Sequence, residues 1–253
     1  KLLIYISSLI REIFGGDRLK RISKSIIKIS KKISLEKKKK IVILDFGCGS
    51  MEIFKKMQKY SFVKKIIGTD TFNFKFKTKK MKYIQSNEFF KFKNNKFDLI
   101  IAIDVLHHIG IDDAHKVLKK LSKISKYIII KDHFEHGFFS RHLLRFVDFY
   151  ANYAYGVNIP KKYFDYKSWN KTIYKSSLKE IKFIKSFQQH DGLFNLILNK
   201  KIEVIFVETK LSKDHDHVLA TLLTKFSKNC SIKTNINERF DKIDISKCLS
   251  EML

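Results

Sequence analysis

Proline occurs once in 253 residues and cysteine three times, which excludes collagen-like and proline-rich low-complexity chains. Cys48, Cys230 and Cys248 form no CxxC pair and no even framework. That argues against a disulfide-stapled domain and a structural zinc site, and fits a reducing, cytoplasmic compartment. Arginine is scarce too, supplying six of the 52 basic residues in a chain of formal net charge +27. Bidentate readout of nucleic acid relies on arginine, so nucleic acid is not the favoured partner. The charge reads instead as a solvated lysine surface, with peripheral contact to an anionic membrane still compatible. No apolar run approaches the roughly 20 residues of a transmembrane helix. What is present is globular: 44% hydrophobic and 13% aromatic residues, enough for one large α/β core.

The opening KLLIYISSLIREIF has a helical apolar stripe and reads as a helix packed on the domain. A signal remnant and a surface-lying helix are the alternatives. Residues 1–35 are predicted as two helices broken at Gly15-Gly16. Ile41–Leu44 then reads as a buried strand, followed by a glycine turn and a helix from Ser50. Further strands are predicted at Phe62–Thr69, Lys82–Gln85, Phe97–Ile103 and Tyr127–Ile130. A helix over Asp112–Lys126, with Asp112 as N-cap, precedes the last of these. This alternation implies βαβ units and a parallel sheet. Past Asp132 the order changes. Phe138–Tyr155 and Tyr166–Glu180 (entered through Ser168) read as helices. Ile181–Gln188 and Ile202–Thr209 read as an antiparallel pair closing the sheet, and a helix is predicted near Val218–Phe226.

The stretch IVILDFGCGSME, Ile41–Glu52, carries the chemistry. A strand, a turn with Gly47 and Gly49, and a helix start form a nucleotide cradle. A dinucleotide fold wants G-x-G-x-x-G, but the third place holds Glu52, whose carboxylate would repel a pyrophosphate. With Asp45 it suits a ligand carrying an ammonium and a sulfonium, which favours S-adenosylmethionine over a nicotinamide dinucleotide. Asp70, 23 residues past Gly47 at a strand end, is placed to hold ribose hydroxyls. Adjacent His107 and His108 have no third ligand at metal spacing, so no metal is expected. His133, leaving the fifth strand beside Asp132 and near His136, is the candidate general base. An aromatic cluster from Phe146 to Trp169 reads as either a core stripe or a pocket for an apolar acceptor.

ILDFGCG at 43–49, IIGTD at 66–70 and FDLIIAIDVLHHI at 97–109 resemble the class I S-adenosylmethionine-dependent methyltransferases. The resemblance covers residues 40–132 specifically. It implies a doubly wound, Rossmann-like, seven-stranded, mostly parallel sheet with an antiparallel last strand. Together with the pattern of the rest of the chain, this divides it into a helical N-terminal extension (1–36), a methyltransferase domain (37–210) with a helical cap near 134–180, and a C-terminal tail (211–253). Asp45, Gly47, Cys48 and Gly49 would line the methionine part of S-adenosyl-L-methionine, and Asp70 the ribose. Ser86 and Asn87 would meet the adenine, and Asp104, Val105 and Leu106 would line the cofactor where the fourth strand ends. The family often carries a glycine where this chain has Met51 and an acid where it has Ser86. The implied activity is methyl transfer to a small-molecule or lipid-like acceptor. RNA methylation and a non-catalytic partner protein are the alternatives.

Overall fold

Apolar residues at alternating positions split this chain's central strands between two cores. Ile41 and Ile43, Leu99 and Ile101, and Tyr127 and Ile129 pack to one side. Leu44, Ile100, Ile128 and Ile130 pack to the other. A strand buried on both faces needs helices above and below it. The computed structural model describes residues 2–71, 77–86, 91–92, 96–152, 156–184 and 203–210, with backbone alone at 2–18, 151, 180–184 and 203–210. These lie in one unit, Lys1–Lys210; a second unit, Leu211–Leu253, lies outside the described residues, as does the expected helix near Val218.

The strands are β1 (Ile41–Phe46), β2 (Val63–Asp70), β3 (Met81–Gln85), β4 (Leu99–Ile103), β5 (Tyr127–His133), β6 (Leu178–Ile184) and β7 (Glu203–Lys210). They form one sheet in the order β3-β2-β1-β4-β5-β7-β6. The first five are mutually parallel, whereas β7 runs antiparallel to both β5 and β6. The helices are α1 (Leu2–Glu36), α2 (Glu52–Met57), α3 (Leu106–Ile109), α4 (Ile111–Ile124), α5 (Phe138–Asn152) and α6 (Tyr166–Lys175). Ile22, Ile26 and Ile33 of α1 join Phe54 and Met57 of α2 in one core. Leu118 and Leu121 of α4 join Trp169 and Ile173 of α6 in the other.

Five local expectations need correction. The helix α1 runs unbroken through Gly15-Gly16. Each interior glycine costs only about 1 kcal/mol relative to alanine, and burial of Ile22, Ile26 and Ile33 downstream favours the continuous helix. The helix after the glycine turn starts at Glu52, because Met51 sits in the left-handed region. Asp112 is not an N-cap: Gly110 holds that position, and Asp112 and Asp113 lie in the first turn, where they favour the positive helix end. Asp165, not Ser168, caps α6; Ser168 completes a reciprocal box at the third position. That helix stops at Lys175, and a turn with Ser177 at φ 56° leads directly into β6.

Candidate functional site

The glycine turn after β1 is tied down at the C-terminal edge of β2. Gly47 N and Cys48 N both donate to Thr69 O, at 2.9 and 3.1 Å. Gly49 N donates to Asp70 Oδ2 at 2.8 Å. Gly47, at φ 72°, lies against the exit of β4: a Cβ there would come within 2.4 Å of Val105 Cγ2. Gly49, at φ 46°, has nothing among the described residues within 4 Å of where its Cβ would be. A backbone that opens onto space beside a carboxylate is a fit cradle for a polar ligand. Asp45 is buried behind the turn, and burial together with the nearby Asp70 carboxylate raises its pKa well above the ordinary range.

Two residues of the turn face inward. A Cβ on Gly68 would meet Cys48 Sγ and Met51 Sδ and Cε, all at 2.8 Å. The Met51 side chain is thus core, and the missing glycine is answered by Gly68 beneath it. Burial, with Asp45 and Asp70 adding to it, pushes the Cys48 thiol up, so it stays protonated and packs. Glu52 is exposed and paired with Lys55 at 2.5 Å. The acidic character read from the turn therefore rests on Asp45 and Asp70.

Ser86 directly follows Gln85, the register partner of Asp70, so it stands at the same sheet edge. Asn87 lies outside the described residues. Asp104, at φ 52°, receives Lys131 Nζ at 2.5 Å and lies 3.2 Å from His133 Nε2. His133 is buried at the end of β5, so the structure brings it to Asp104. Sequence reasoning missed the hub next to it. Fully buried Asp132 accepts from Leu106 N (3.0 Å), His107 N (3.2 Å) and His133 N (2.8 Å), and bonds His107 Nδ1. It serves α3 as a cap that Val105 cannot provide. An acid closing an apolar strand was the available signal.

From the far side, α5 brings Asp148 to within 3.4 Å of His107 Nε2. Tyr163 Oη donates to the same carboxylate at 2.5 Å. Burial alone would lower the pKa of His107, but Asp132 and Asp148 outweigh it and push it up to about 9. His108 Nδ1 bonds Asn158 O at 2.8 Å, and burial, reinforced by His107, lowers its pKa.

Residues 15–173, more than half of the chain, match the family described as the methyltransferase domain. The chain belongs to that family. Its fold is that of S-adenosylmethionine-dependent methyltransferases: one from Aquifex aeolicus superposes with TM-score 0.53 at 14% identity, over 81% of this chain and 98% of that one. A chain of the complex between the Haloferax volcanii Trm112 methyltransferase activator and a methyltransferase gives 0.54 at 11% identity, over 69% and 84%. An uncharacterised protein of Methanocaldococcus jannaschii is 28% identical over 101 residues, 38% of this chain and 44% of that protein. The chain thus spans less than half the length of that relative.

In this methyltransferase domain the aromatic cluster divides in two. Tyr163, Phe164 and Trp169 are buried and belong to the core. Phe146 and Phe149 of α5 are exposed, as is Tyr166. Tyr153 and Tyr155 lie outside the described residues. Glu135, held bidentately by Arg141 at 2.8 and 2.5 Å, accepts Tyr163 N and joins α5 to the segment before α6. Among the described residues no helix is long and apolar enough to cross a membrane.

Proposed function

We propose that this chain binds S-adenosyl-L-methionine and catalyses methyl transfer to a small-molecule or lipid-like acceptor. The observation that carries the reading is the glycine turn: it is held on Asp70 while Gly49 opens onto space. When bound, the cofactor supplies a methyl already activated on a sulfonium, so in-line positioning delivers much of the rate. Asp70 receives the ribose hydroxyls through the carboxylate that also fixes Gly49. Asp45 faces the ammonium end, and Gly47 with Val105 shapes the wall behind it. Leu106 and Asp104 follow along the same edge, and Ser86 and Asn87 meet the adenine. The domain spans 37–210, with 1–36 as an extension that packs on it and 211–253 as a tail. Residues 134–180 form the cap, whose exposed aromatic residues on α5 hold an apolar acceptor. His133, oriented by Asp104, takes the acceptor's proton where one must leave.

RNA is the second acceptor class, favoured by one observation. A cavity of about 630 Å³ is lined by Lys116, Lys119, Lys120, Lys123 and Lys175 around Phe92. Calorimetry with S-adenosylmethionine on the full chain is expected to give one site per chain, with affinity at least tenfold weaker in Asp70→Ala. An absence of binding in the parent chain points to the non-catalytic partner reading and overturns the proposal. Retained RNA affinity with a steep dependence on salt would move the acceptor to nucleic acid.

A further inference from the structure

His107, His108 and Asp148 each offer a ligand atom, and these atoms lie within 4.8 Å of one another. They come from α3 and from α5, forty residues later, so no sequence spacing announces them. Each is oriented from behind. His107 Nδ1 bonds the buried Asp132 carboxylate, and His108 Nδ1 bonds the Asn158 carbonyl at 2.8 Å. Tyr163 Oη fixes Asp148 at 2.5 Å. Metal-ligating histidines commonly give their other ring nitrogen to a carboxylate or a backbone carbonyl in this way. The arrangement leaves Nε2 of both rings for a ligand. His107 Nε2 is fully buried, makes no hydrogen bond among the described residues, and is ion-paired with Asp148 Oδ2 at 3.4 Å. In the metal-free chain a proton on Nε2 faces Asp148, and an ion takes the place of that proton when it binds.

We propose that His107, His108 and Asp148 bind one divalent first-row transition-metal ion, with Zn²⁺ as its representative. Two imidazoles and one carboxylate suit such an ion, whereas magnesium and calcium take oxygen ligands. Two buried carboxylates, Asp132 and Asp148, balance its charge. Three protein ligands leave a coordination position for water or a ligand oxygen, as in catalytic zinc sites. The metal ligands are separate from the residues proposed for the cofactor, which are the turn after β1, Asp70, Ser86, Asn87 and Asp104 to Leu106, although His107 follows Leu106 directly and lies against His133.

The test is metal loading of the full, tag-free chain after chelation, read by elemental analysis, Zn²⁺ titration and the visible spectrum of the Co²⁺ form. One ion per chain is expected, with a d–d spectrum of nitrogen and oxygen ligation. His108→Gln and Asp148→Asn are expected to weaken Zn²⁺ at least a hundredfold while circular dichroism stays that of the parent, and exposed His142→Gln to change nothing. S-adenosylmethionine affinity, measured on the same samples, is expected to survive in His108→Gln, so failure of the metal site and of the cofactor site read separately. Substoichiometric loading of the parent chain overturns the proposal. So does affinity unchanged in both ligand variants, or a sulfur-to-cobalt charge-transfer band that moves the ion to cysteine.

Discussion

Met51 lies across Gly68: its Sδ and Cε stand 2.8 Å from where a Cβ on Gly68 would be. A residue in the left-handed region normally favours glycine, and here a buried methionine adopts it at φ 56°. Its side chain fills the space that Gly68 leaves. Gly68→Ala is expected to cost about 1–3 kcal/mol through overpacking. Adding Met51→Ala should return part of that loss, because it removes the clashing atoms. Chemical denaturation of the four proteins of this double-mutant cycle measures it, and strictly additive losses would show that the two residues do not share the space.

The two glycines of the turn predict different failures. Gly47→Ala adds a Cβ at 2.4 Å from Val105 and forces φ 72° on alanine. We expect it to lose about 2–4 kcal/mol of stability. Gly49→Ala meets no atom, so its cost is the left-handed backbone alone, about 1 kcal/mol. Its Cβ enters the space through which the proposed cofactor would approach, so binding should fall more than stability does. Melting temperature and calorimetric affinity, compared for the two variants, separate the cases.

Asp45 carries a pKa raised first by burial and then by Asp70. An ammonium group arriving beside it favours the ionised carboxylate, so binding should release a proton. Affinity then rises with pH across the raised pKa. Binding heats should differ between buffers of different ionisation enthalpy, and Asp45→Asn should abolish that difference. Equal heats in the parent chain would remove Asp45 as the partner of the ammonium.

Asp98 joins β4 to the start of β1, accepting Val42 N at 3.0 Å and pairing with Lys37 (2.9 Å) and Lys39 (2.8 Å). Burial pushes its pKa up, but Lys39, the Val42 N–H and Lys37 together bring it below the ordinary value. A carboxylate depressed in the folded state stabilises above the unfolded value, near 3.9, and that contribution is lost as pH falls through the lowered one. Asp98→Asn should destabilise by about 1–2 kcal/mol at pH 7. The gap to the parent should close at a pH below that lowered value. Urea unfolding at the two pH values decides.

His133→Gln tests the proposed proton acceptor. Cofactor affinity should hold while kcat falls by about a hundredfold. An unchanged kcat would leave His133 as a packing partner of Asp104.

Much of the sheet could be read because its signals are local. The apolar runs at Ile41, Phe62, Phe97 and Tyr127 needed no partner to be read as strands, and Gly47, Gly49 and Asp70 declare themselves by spacing. Boundaries slipped where one backbone angle decided them: Met51 delayed α2 by two residues, and Ser177 ended the turn before β6. Gly15-Gly16 failed as a stop because tertiary burial outweighed propensity.

The sequence by itself determined the strand–turn–helix cradle, its two carboxylates Asp45 and Asp70 and the places of the parallel strands along the chain, because backbone freedom, charge and apolar runs are properties of neighbouring residues. Only the tertiary structure decided what surrounds the histidines. Asp132 reaches α3 from an adjacent strand, and Asp148 arrives from a helix forty residues away. Sequence distance carries no record of such convergence. It follows from how α5 brings Asp148 against α3, and that approach turned an adjacent histidine pair into a three-residue cluster.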